Sequence, residues 1–188
     1  MPTIFTHAAV PCLIGSAAGK QRISHRLLLA GTIAAMLPDM DVLGFRFGIA
    51  YANAFGHRGA MHSLAFALLM AATAAILHRR LRTSATCAFV FVGMAAISHP
   101  LLDMLTDGGL GVALAWPLDE HRYFFPWRPV HVSPIGARFF SNRSWPVIES
   151  ELLWVWLPTG LLSSALWAWR RMQAAPWASD KGIPSDVP

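Results

Sequence analysis

The sequence predicts an all-α integral membrane protein: a bundle of about four to five hydrophobic helices with a long irregular outer loop. Hydrophobic residues fill 55% of the 188 positions, and only 13% are charged, about half the share of a typical soluble domain. Mean hydropathy is +0.45. The apolar residues form runs that a soluble chain of this length has too little interior to bury. We expect one membrane-embedded domain over residues 1–175 and a disordered tail over 176–188.

Composition divides the chain into five apolar segments. They cover residues 4–19, 27–37, 63–77, 85–105 and 152–169. The fourth is long enough to span a bilayer, whereas the first three are shorter than the ~20 residues that a straight span requires. The fifth ends in Trp167 and Trp169 followed by Arg170 and Arg171, a pattern typical of a membrane interface.

Basic residues between the segments predict the orientation of the chain. They form three groups: Lys20, Arg22 and Arg26; Arg79, Arg80 and Arg82; and Arg170 and Arg171. Because basic loops favour the cytoplasmic side, we expect the N-terminus outside and the C-terminus inside. The basic residues lie beside apolar segments, so their net charge of +5 is explained by topology, and we expect no nucleic-acid partner.

The connection at residues 108–150 is the long irregular loop. Pro117, Pro126, Pro129 and Pro134 interrupt it, so it cannot span the membrane. Its aromatic cluster at residues 122–129 predicts a cap that lies over the outer face at headgroup depth.

The strongest functional signal is a pair of residues near the end of the fourth segment. His99 and Asp103 are four positions apart, so both side chains lie on one face of the predicted helix and can share a metal ion. Asp107 follows one turn later, as a further ligand or a group that supports one. An alternative interpretation is that His99 only bonds a neighbouring helix and Asp103 only caps one.

Further candidate ligands lie at the ends of other segments. Asp39 and Asp41 follow the second segment, where they could bind a cation or merely form a turn. His57 and His62 precede the third segment, with His57 expected on a loop and His62 in the first helical turn. Between them, Arg58 is a candidate clamp for phosphate or carboxylate. His7 begins the first segment, and the predicted orientation places all of these residues on the outer side.

Together these motifs resemble a known family. They are Thr6-His7, Leu37-Pro38-Asp39-Met40-Asp41, His57-Arg58-Gly59 with His62-Ser63, Ser98-His99-Pro100-Leu101-Leu102-Asp103 with Thr106 and Gly108, Trp116-Pro117-Leu118, and Arg122-Tyr123-Phe124-Phe125-Pro126-Trp127. Their order and spacing over about residues 1–140 resemble the YdjM-like family, multi-pass bacterial inner-membrane proteins grouped with metal-dependent hydrolases. The resemblance implies a location in the bacterial inner membrane.

The YdjM-like family is itself distantly similar to the bacterial zinc-dependent phospholipases C, which are all-helical. That similarity implies one or two divalent ions, with zinc as the expected metal. It implies that His7 serves one ion, that the other is held by Asp41 or Asp39, by His57 or His62, and by His99, and that Asp103 bridges the two. The later histidine pair and glutamate of the phospholipases are not reproduced by His131, Glu149 and Glu151.

The function that we expect is a membrane-bound metal-dependent hydrolase at the periplasmic face. A metal-activated water would attack a phosphodiester or ester, including a lipid-linked one, with the bilayer as the surroundings of the site. Arg58 would stabilise the developing anion, and Asp107, or whichever of Asp39 and Asp41 is not a ligand, would act as general base. Two alternatives stay open: a small metal-ion transporter, and a membrane scaffold or regulatory protein with a structural metal.

Overall fold

The computed structural model describes residues 1–134 and 144–174. Within them the secondary structure is helical, and strand pairing is limited to two isolated bridges. The helices are α1 (Ile4–Ala18), α2 (His25–Met36), α3 (Leu64–Ile76), α4 (Ala85–Met104), α5 (Ser144–Glu151) and α6 (Leu157–Ala174). The all-α prediction is therefore confirmed, while the tail predicted to be disordered from residue 176 lies outside the described residues.

One 3-10 helix extends α2, and a second, shorter one precedes α3. A 3-10 helix, Leu37–Phe47, continues α2 directly, with Pro38 in its first turn; proline has no N–H to donate back into α2, and the helix changes from α to 3-10 at this point. A second 3-10 turn, Ala60–His62, comes just before Ser63, whose hydroxyl accepts the Phe66 N–H and caps α3. His62 therefore lies one turn earlier than the sequence suggested.

Three described helical stretches are long and apolar enough to cross a membrane: His25–Phe47, Ala85–Met104 and Ser144–Gln173. The helices α1 and α3 are shorter and apolar. The second apolar segment is thus longer than its sequence limits because the 3-10 helix extends it beyond Pro38.

The fifth segment also starts earlier than predicted. Its helix begins at Ser144, inside the stretch expected to be irregular, because Pro146 falls in the first turn and does not interrupt it. A π-turn at Leu152–Trp156 joins α5 to α6. Pro158 lies just after this π-turn, as the second residue of α6. Because proline has no N–H, it cannot donate to the carbonyl four residues back, and a wider turn at this point accommodates the missing bond.

Small residues let the helices pack closely. The core cluster contains Leu27, Ala34, Ala67, Ala74, Ala88, Val92 and Ala96. Phe91 of α4 inserts between α1 and α2, where a Cβ added to Gly31 would lie 2.5 Å from its ring and one added to Gly15 would lie 2.9 Å from it. Larger side chains at these two glycines would therefore separate α4 from its neighbours.

The basic residues gather at one end of the bundle, which we call the basic end. There Arg26 donates to the carbonyl of Arg80, and Arg170 donates to the carbonyl of Ala17. The Ser24 hydroxyl also donates to the carbonyl of Leu81, which joins the α1–α2 and α3–α4 connections. The candidate ligands lie at the opposite end, which we call the site end.

Residues 105–134 form a covering loop at the site end. Isolated bridges pair Thr106 with Val130 and Val112 with Tyr123, which gives the loop internal order. The loop is joined to the residues before α3 by the Ala113 N–H, which donates to Arg58, and by the Leu64 N–H, which donates to Leu114.

Candidate metal centre

Four different parts of the chain bring the candidate ligands to the site end. The helix α1 supplies His7, the 3-10 helix supplies Asp39 and Asp41, the segment before α3 supplies His57 and His62, and α4 supplies His99 and Asp103. All seven side chains are buried. Two groups of three, His7 with His99 and Asp103 and Asp39 with His57 and His62, have candidate ligand atoms within 4.8 Å of one another.

Four of these side chains converge most tightly. The Nε2 atoms of His62 and His99 are 3.0 Å apart. Asp39 Oδ1 lies 3.5 Å from His99 Nε2 and 3.9 Å from His62 Nε2. Asp103 Oδ2 lies 3.3 Å from His62 Nε2 and 3.9 Å from His99 Nε2. Ligands held at ~2.0–2.2 Å around one tetrahedral ion are separated by about 3.3–3.6 Å. The observed distances of 3.0–3.9 Å lie around that spacing, so small movements would bring the four side chains onto a single cation.

The remaining ring nitrogens orient the two histidines toward that point. His99 Nδ1 lies 2.7 Å from the carbonyl oxygen of Ala35, so this nitrogen carries the proton and Nε2 is left with a lone pair. His62 Nδ1 faces Asp41 Oδ2 at 3.1 Å without the geometry of a hydrogen bond, and the nearby carboxylate favours a proton on this nitrogen as well. Two lone pairs directed at each other across 3.0 Å require a proton or a cation between them.

Protonation of His62 reflects the carboxylates around it. Burial alone would lower its pKa, but the adjacent Asp103 and Asp41 carboxylates outweigh burial and raise the pKa to about 9 in the metal-free protein. At neutral pH a proton on His62 would therefore compete with a divalent cation for the same nitrogen, and the cation would have to displace it.

Buried polar atoms without partners mark the same place. Among the described residues, both carboxylate oxygens of Asp39, both of Asp103 and both ring nitrogens of His7 accept or donate no hydrogen bond. An isolated buried carboxylate is strongly unfavourable, so such groups are normally paired or coordinated to a metal. The basic groups beside Asp103 are the N-terminal amino group and the guanidinium of Arg58, whose Nε lies 3.1 Å from Asp103 Oδ2. The donor set therefore fits a divalent cation.

His7 lies against the other face of this cluster. Its ring stacks on that of His99, with centroids 3.7 Å apart, and its Nε2 is 3.7 Å from Asp103 Oδ1. Asp103 thus directs one oxygen at His62 and His99 and the other at His7. A carboxylate in that position can bridge two ions, but the same geometry also suits one ion with His7 as a neighbour.

Asp41 supports the histidines. Its Oδ1 accepts from His57 Nδ1 at 2.6 Å, while its Oδ2 faces His62 Nδ1 and accepts the backbone N–H of Arg58. A carboxylate behind a ligating imidazole fixes the ring and makes its free nitrogen more basic. Of the two aspartates that the sequence left open, Asp39 thus faces the candidate cation position and Asp41 lies behind the histidines.

Arg58, which the sequence predicted as a clamp for phosphate or carboxylate, is fully buried. Its guanidinium contacts Asp103, and its Nη atoms donate to Thr106 Oγ1 and to the carbonyl of Gly108, both at 2.9 Å. Its backbone has φ +64°, a left-handed conformation that these contacts hold in place. The structure therefore places Arg58 where it orients Asp103 and balances its charge.

Asp107 lies apart from the cluster. Its carboxylate is 42% exposed and accepts from His131 Nδ1 at 2.7 Å and from the Val132 N–H at 2.8 Å. Burial opposes ionisation, but the two hydrogen bonds together outweigh it and hold the pKa of Asp107 below its ordinary value. A carboxylate with a lowered pKa is a weak base, so this geometry does not favour Asp107 as the general base.

Sequence reasoning did not assign a role to Glu151, which is buried beside α1. Its carboxylate accepts the Thr3 N–H and the hydroxyls of Thr3 and Thr6, all within 2.6 Å, and Trp156 Nε1 donates to Thr6. This network fixes the first turn of α1, from which His7 extends. The available sequence signal was the position of Glu151 directly before an apolar segment. A carboxylate at the edge of the membrane is energetically unfavourable unless it has a hydrogen-bonding partner.

Arg122 was also missed as a site residue. Its guanidinium donates to four backbone carbonyls, those of Tyr51, Asn53, His57 and Gly111, at 3.0–3.4 Å. It thereby connects the covering loop to the segment that carries His57 and Arg58. The sequence showed Arg122 only as the start of an aromatic motif.

Comparison with known proteins agrees with this architecture. The model of the YdjM inner membrane protein family matches residues 1–175. The inner membrane protein YbcI of Escherichia coli (strain K12) is 48% identical over 173 residues, which cover 91% of this chain and 99% of that relative. No solved structure matches, and these matches do not extend the similarity to the phospholipases C. With its helical bundle and candidate membrane spans, the chain belongs to the YdjM inner membrane protein family.

Proposed function

We propose that the protein is a metal-dependent hydrolase of the inner membrane whose centre is formed by Asp39, His62, His99 and Asp103, with His7 beside it. The observation that carries this proposal is the pair of Asp103 oxygens, directed at two separate sets of histidine nitrogens. A single ion bound by four protein ligands would leave His7 Nε2 and Asp103 Oδ1 unused. These extra donors favour a centre that also holds a second ion or a water.

A divalent cation bound there would lower the pKa of a coordinated water and act as a Lewis acid toward the scissile phosphoryl or acyl group. Asp41 and His57 suit the accompanying proton transfer. The bond from His57 Nδ1 to Asp41, 2.6 Å long, leaves Nε2 of His57 as the basic nitrogen, in the way that a carboxylate orients a catalytic imidazole. Arg58 keeps Asp103 ionised and in position.

The substrate class that we propose is a phosphodiester or ester, including lipid-linked compounds, on the periplasmic side. The predicted orientation of the basic groups supports the periplasmic side. The apolar surroundings of the centre support a substrate with a hydrocarbon part.

A structural metal in a scaffold or regulatory protein is the second candidate. Its support is the complete burial of the four converging side chains, since structural zinc sites are closed by four protein ligands whereas catalytic sites keep an open position. The visible spectrum of the cobalt-substituted protein distinguishes the two, because a closed four-ligand ion should not respond to added anions.

The direct test combines metal analysis with hydrolysis assays on detergent-purified protein. We expect one or two equivalents of zinc, and hydrolysis of a panel of chromogenic phosphodiesters and esters that stops on chelation and returns with metal. His57→Gln should retain the metal and lose most of the activity. Metal that remains bound to a protein inactive on every substrate, with an anion-insensitive cobalt spectrum, would favour the structural role instead.

A further inference from the structure

We propose that a groove between α2 and α3 binds one acyl chain of a bilayer glycerolipid and places the polar end of that lipid at the metal centre. The proposal rests on the proposed function, because it names the class of substrate that the same centre would take.

The groove is formed by matching apolar stripes on two helices. On one wall it is lined by Ala30, Ile33, Ala34 and Leu37, and on the other by Met70, Thr73, Ala74 and Leu77, with Leu81 beyond α3 at the basic end. Each stripe has the spacing i, i+3, i+4, i+7 of one helix face, yet the two faces do not close on each other. Val92 of α4 forms the floor, and the cavity has a volume of about 230 Å³.

Polar groups are nearly absent from this lining. Thr73 is the one residue of the lining with a polar side chain, and its hydroxyl donates to the carbonyl of Leu69 within α3. The groove therefore presents hydrocarbon along its length, and it suits a hydrocarbon chain better than a headgroup or a polar peptide.

The same three helices carry the metal centre. The α2 wall continues into the 3-10 helix that holds Asp39, the α3 wall is preceded by His62, and the α4 floor leads to His99 and Asp103. Leu37, at one end of the groove, is two residues from Asp39. The groove runs from Leu37 at the site end to Leu77 and Leu81 at the basic end, so a lipid whose polar end lies at Leu37 would present that end to these ligands.

Depth in the membrane agrees with this arrangement. Fourteen residues separate His25 from Asp39, Ala85 from His99, and His62 from Ile76. At 1.5 Å per residue of α4, His99 lies about 21 Å from the basic end, and Asp39 and His62 lie beside it. In a hydrocarbon layer of about 30 Å, that depth lies just inside the opposite boundary, near the level of a lipid's ester and phosphate bonds.

The covering loop favours entry from the lipid rather than from water. Its backbone bonds to the segment before α3 through Leu114 and Ala113, and Arg122 joins it to the loop at residues 51–57. These contacts cover the site end above the ligands, whereas the groove walls reach the surface of the bundle, where Ile33 is 52% and Leu77 40% exposed. The groove lies between the basic end and the ligands, within the depth of the hydrocarbon layer. Acyl chains surround the protein there, so the occupant that we propose for the groove is an acyl chain.

The test measures lipid retention, which needs no activity. Protein reconstituted in palmitoyl-oleoyl phosphatidylglycerol vesicles is extracted, washed in detergent and examined by native mass spectrometry. We expect about one lipid per chain, in the chelator-treated protein as well as in the metal-loaded one. Ala30→Phe and Thr73→Phe, which fill the groove from opposite walls, should lower retention at least tenfold. Ala72→Phe, on α3 but outside the groove, is the matched control.

The outcomes separate this proposal from the proposed function. Retention that is absent in the wild type, or equal in the two groove variants and the control, overturns the groove even where water-soluble esters are hydrolysed. Retention with the expected pattern supports it even where no hydrolysis is found. Thr73 is exposed, so Thr73→Phe tests the groove even if Ala30→Phe fails to fold.

Discussion

Asp103 combines three roles at the scale of a single residue. It is fully buried, it faces His7 with one oxygen and His62 with the other, and it is joined to the guanidinium of Arg58. A carboxylate in such surroundings needs positive charge beyond one arginine, because each buried ion loses several kcal/mol of hydration. This requirement explains why acids and histidines occur together in an otherwise apolar chain.

The first prediction compares two aspartates on either side of the α4 terminus. Asp103→Asn keeps the side-chain volume but removes a charge that the cation requires, so we expect metal affinity to fall at least 100-fold. Asp107→Asn alters only an exposed pair with His131 and should change affinity less than twofold. Metal titration of both purified variants, with the wild type alongside, provides the measurement. Equal affinities for Asp103→Asn and the wild type would show that the centre is elsewhere.

The second prediction concerns pH and follows from His62. Its pKa is about 9 in the metal-free fold, above the ordinary 6.5 of an unfolded histidine. The proton on His62 therefore stabilises the metal-free fold below pH 6.5, and this contribution is lost as the pH rises to 9. Since the cation replaces that proton, metal affinity should increase over the same interval.

Thermal unfolding at pH 6.5, 8 and 9 checks the second prediction. The melting temperature of the metal-free protein should fall across the series, and that of the metal-loaded protein should fall less. Parallel curves for the two forms would mean that His62 does not exchange its proton for the metal.

At the scale of the elements, the sequence predicted the apolar helices well and their ends less well. Hydropathy located the helices because lipid-exposed positions must be apolar. It missed the start of α5 at Ser144, because proline is tolerated in the first turn of a helix, and it missed the continuation beyond Pro38, where α2 changes into a 3-10 helix. Contacts such as those of Arg122 with four backbone carbonyls depend on tertiary structure, and no local pattern reveals them.

The third prediction tests the attachment of α1 to α5. In Glu151→Gln the amide offers one acceptor in place of two and directs an N–H at the Thr3 and Thr6 donors. We expect a loss of about 1–3 kcal/mol in the free energy of unfolding, together with weaker metal binding, because His7 follows on the same helix. Glu149→Gln, exposed on the same helix, should change stability by less than about 0.5 kcal/mol.

Denaturant unfolding in detergent measures both glutamate variants. Should the two destabilise the protein equally, the buried network around Thr3 and Thr6 would not be what holds α1 in place.

At the scale of the whole molecule, charge and chemistry are separated along the bundle axis. Arg26, Arg80 and Arg170 lie at the basic end, while the candidate ligands lie at the site end. The sequence predicted this separation from the basic loops alone. Each helix crosses the bundle, so every second connection lies at the same end, and the connections that carry the ligands lie at the end opposite the basic ones. Ligands about 21 Å from the basic end lie beyond the bilayer midplane, which is less favourable for the transporter alternative than for a site near one surface.

The last prediction concerns the orientation of this axis in the membrane. Single cysteines are introduced at Leu118, which is 93% exposed in the covering loop, and at Arg80 at the basic end, in a chain with Cys12 and Cys87 replaced by serine. We expect a membrane-impermeant maleimide to label Leu118→Cys in intact spheroplasts and Arg80→Cys only after lysis, because basic loops are retained in the cytoplasm. Labelling of both variants after lysis is the control for reactivity. The reverse pattern would leave the geometry of the centre unchanged but place it, and any lipid that it acts on, on the cytoplasmic side.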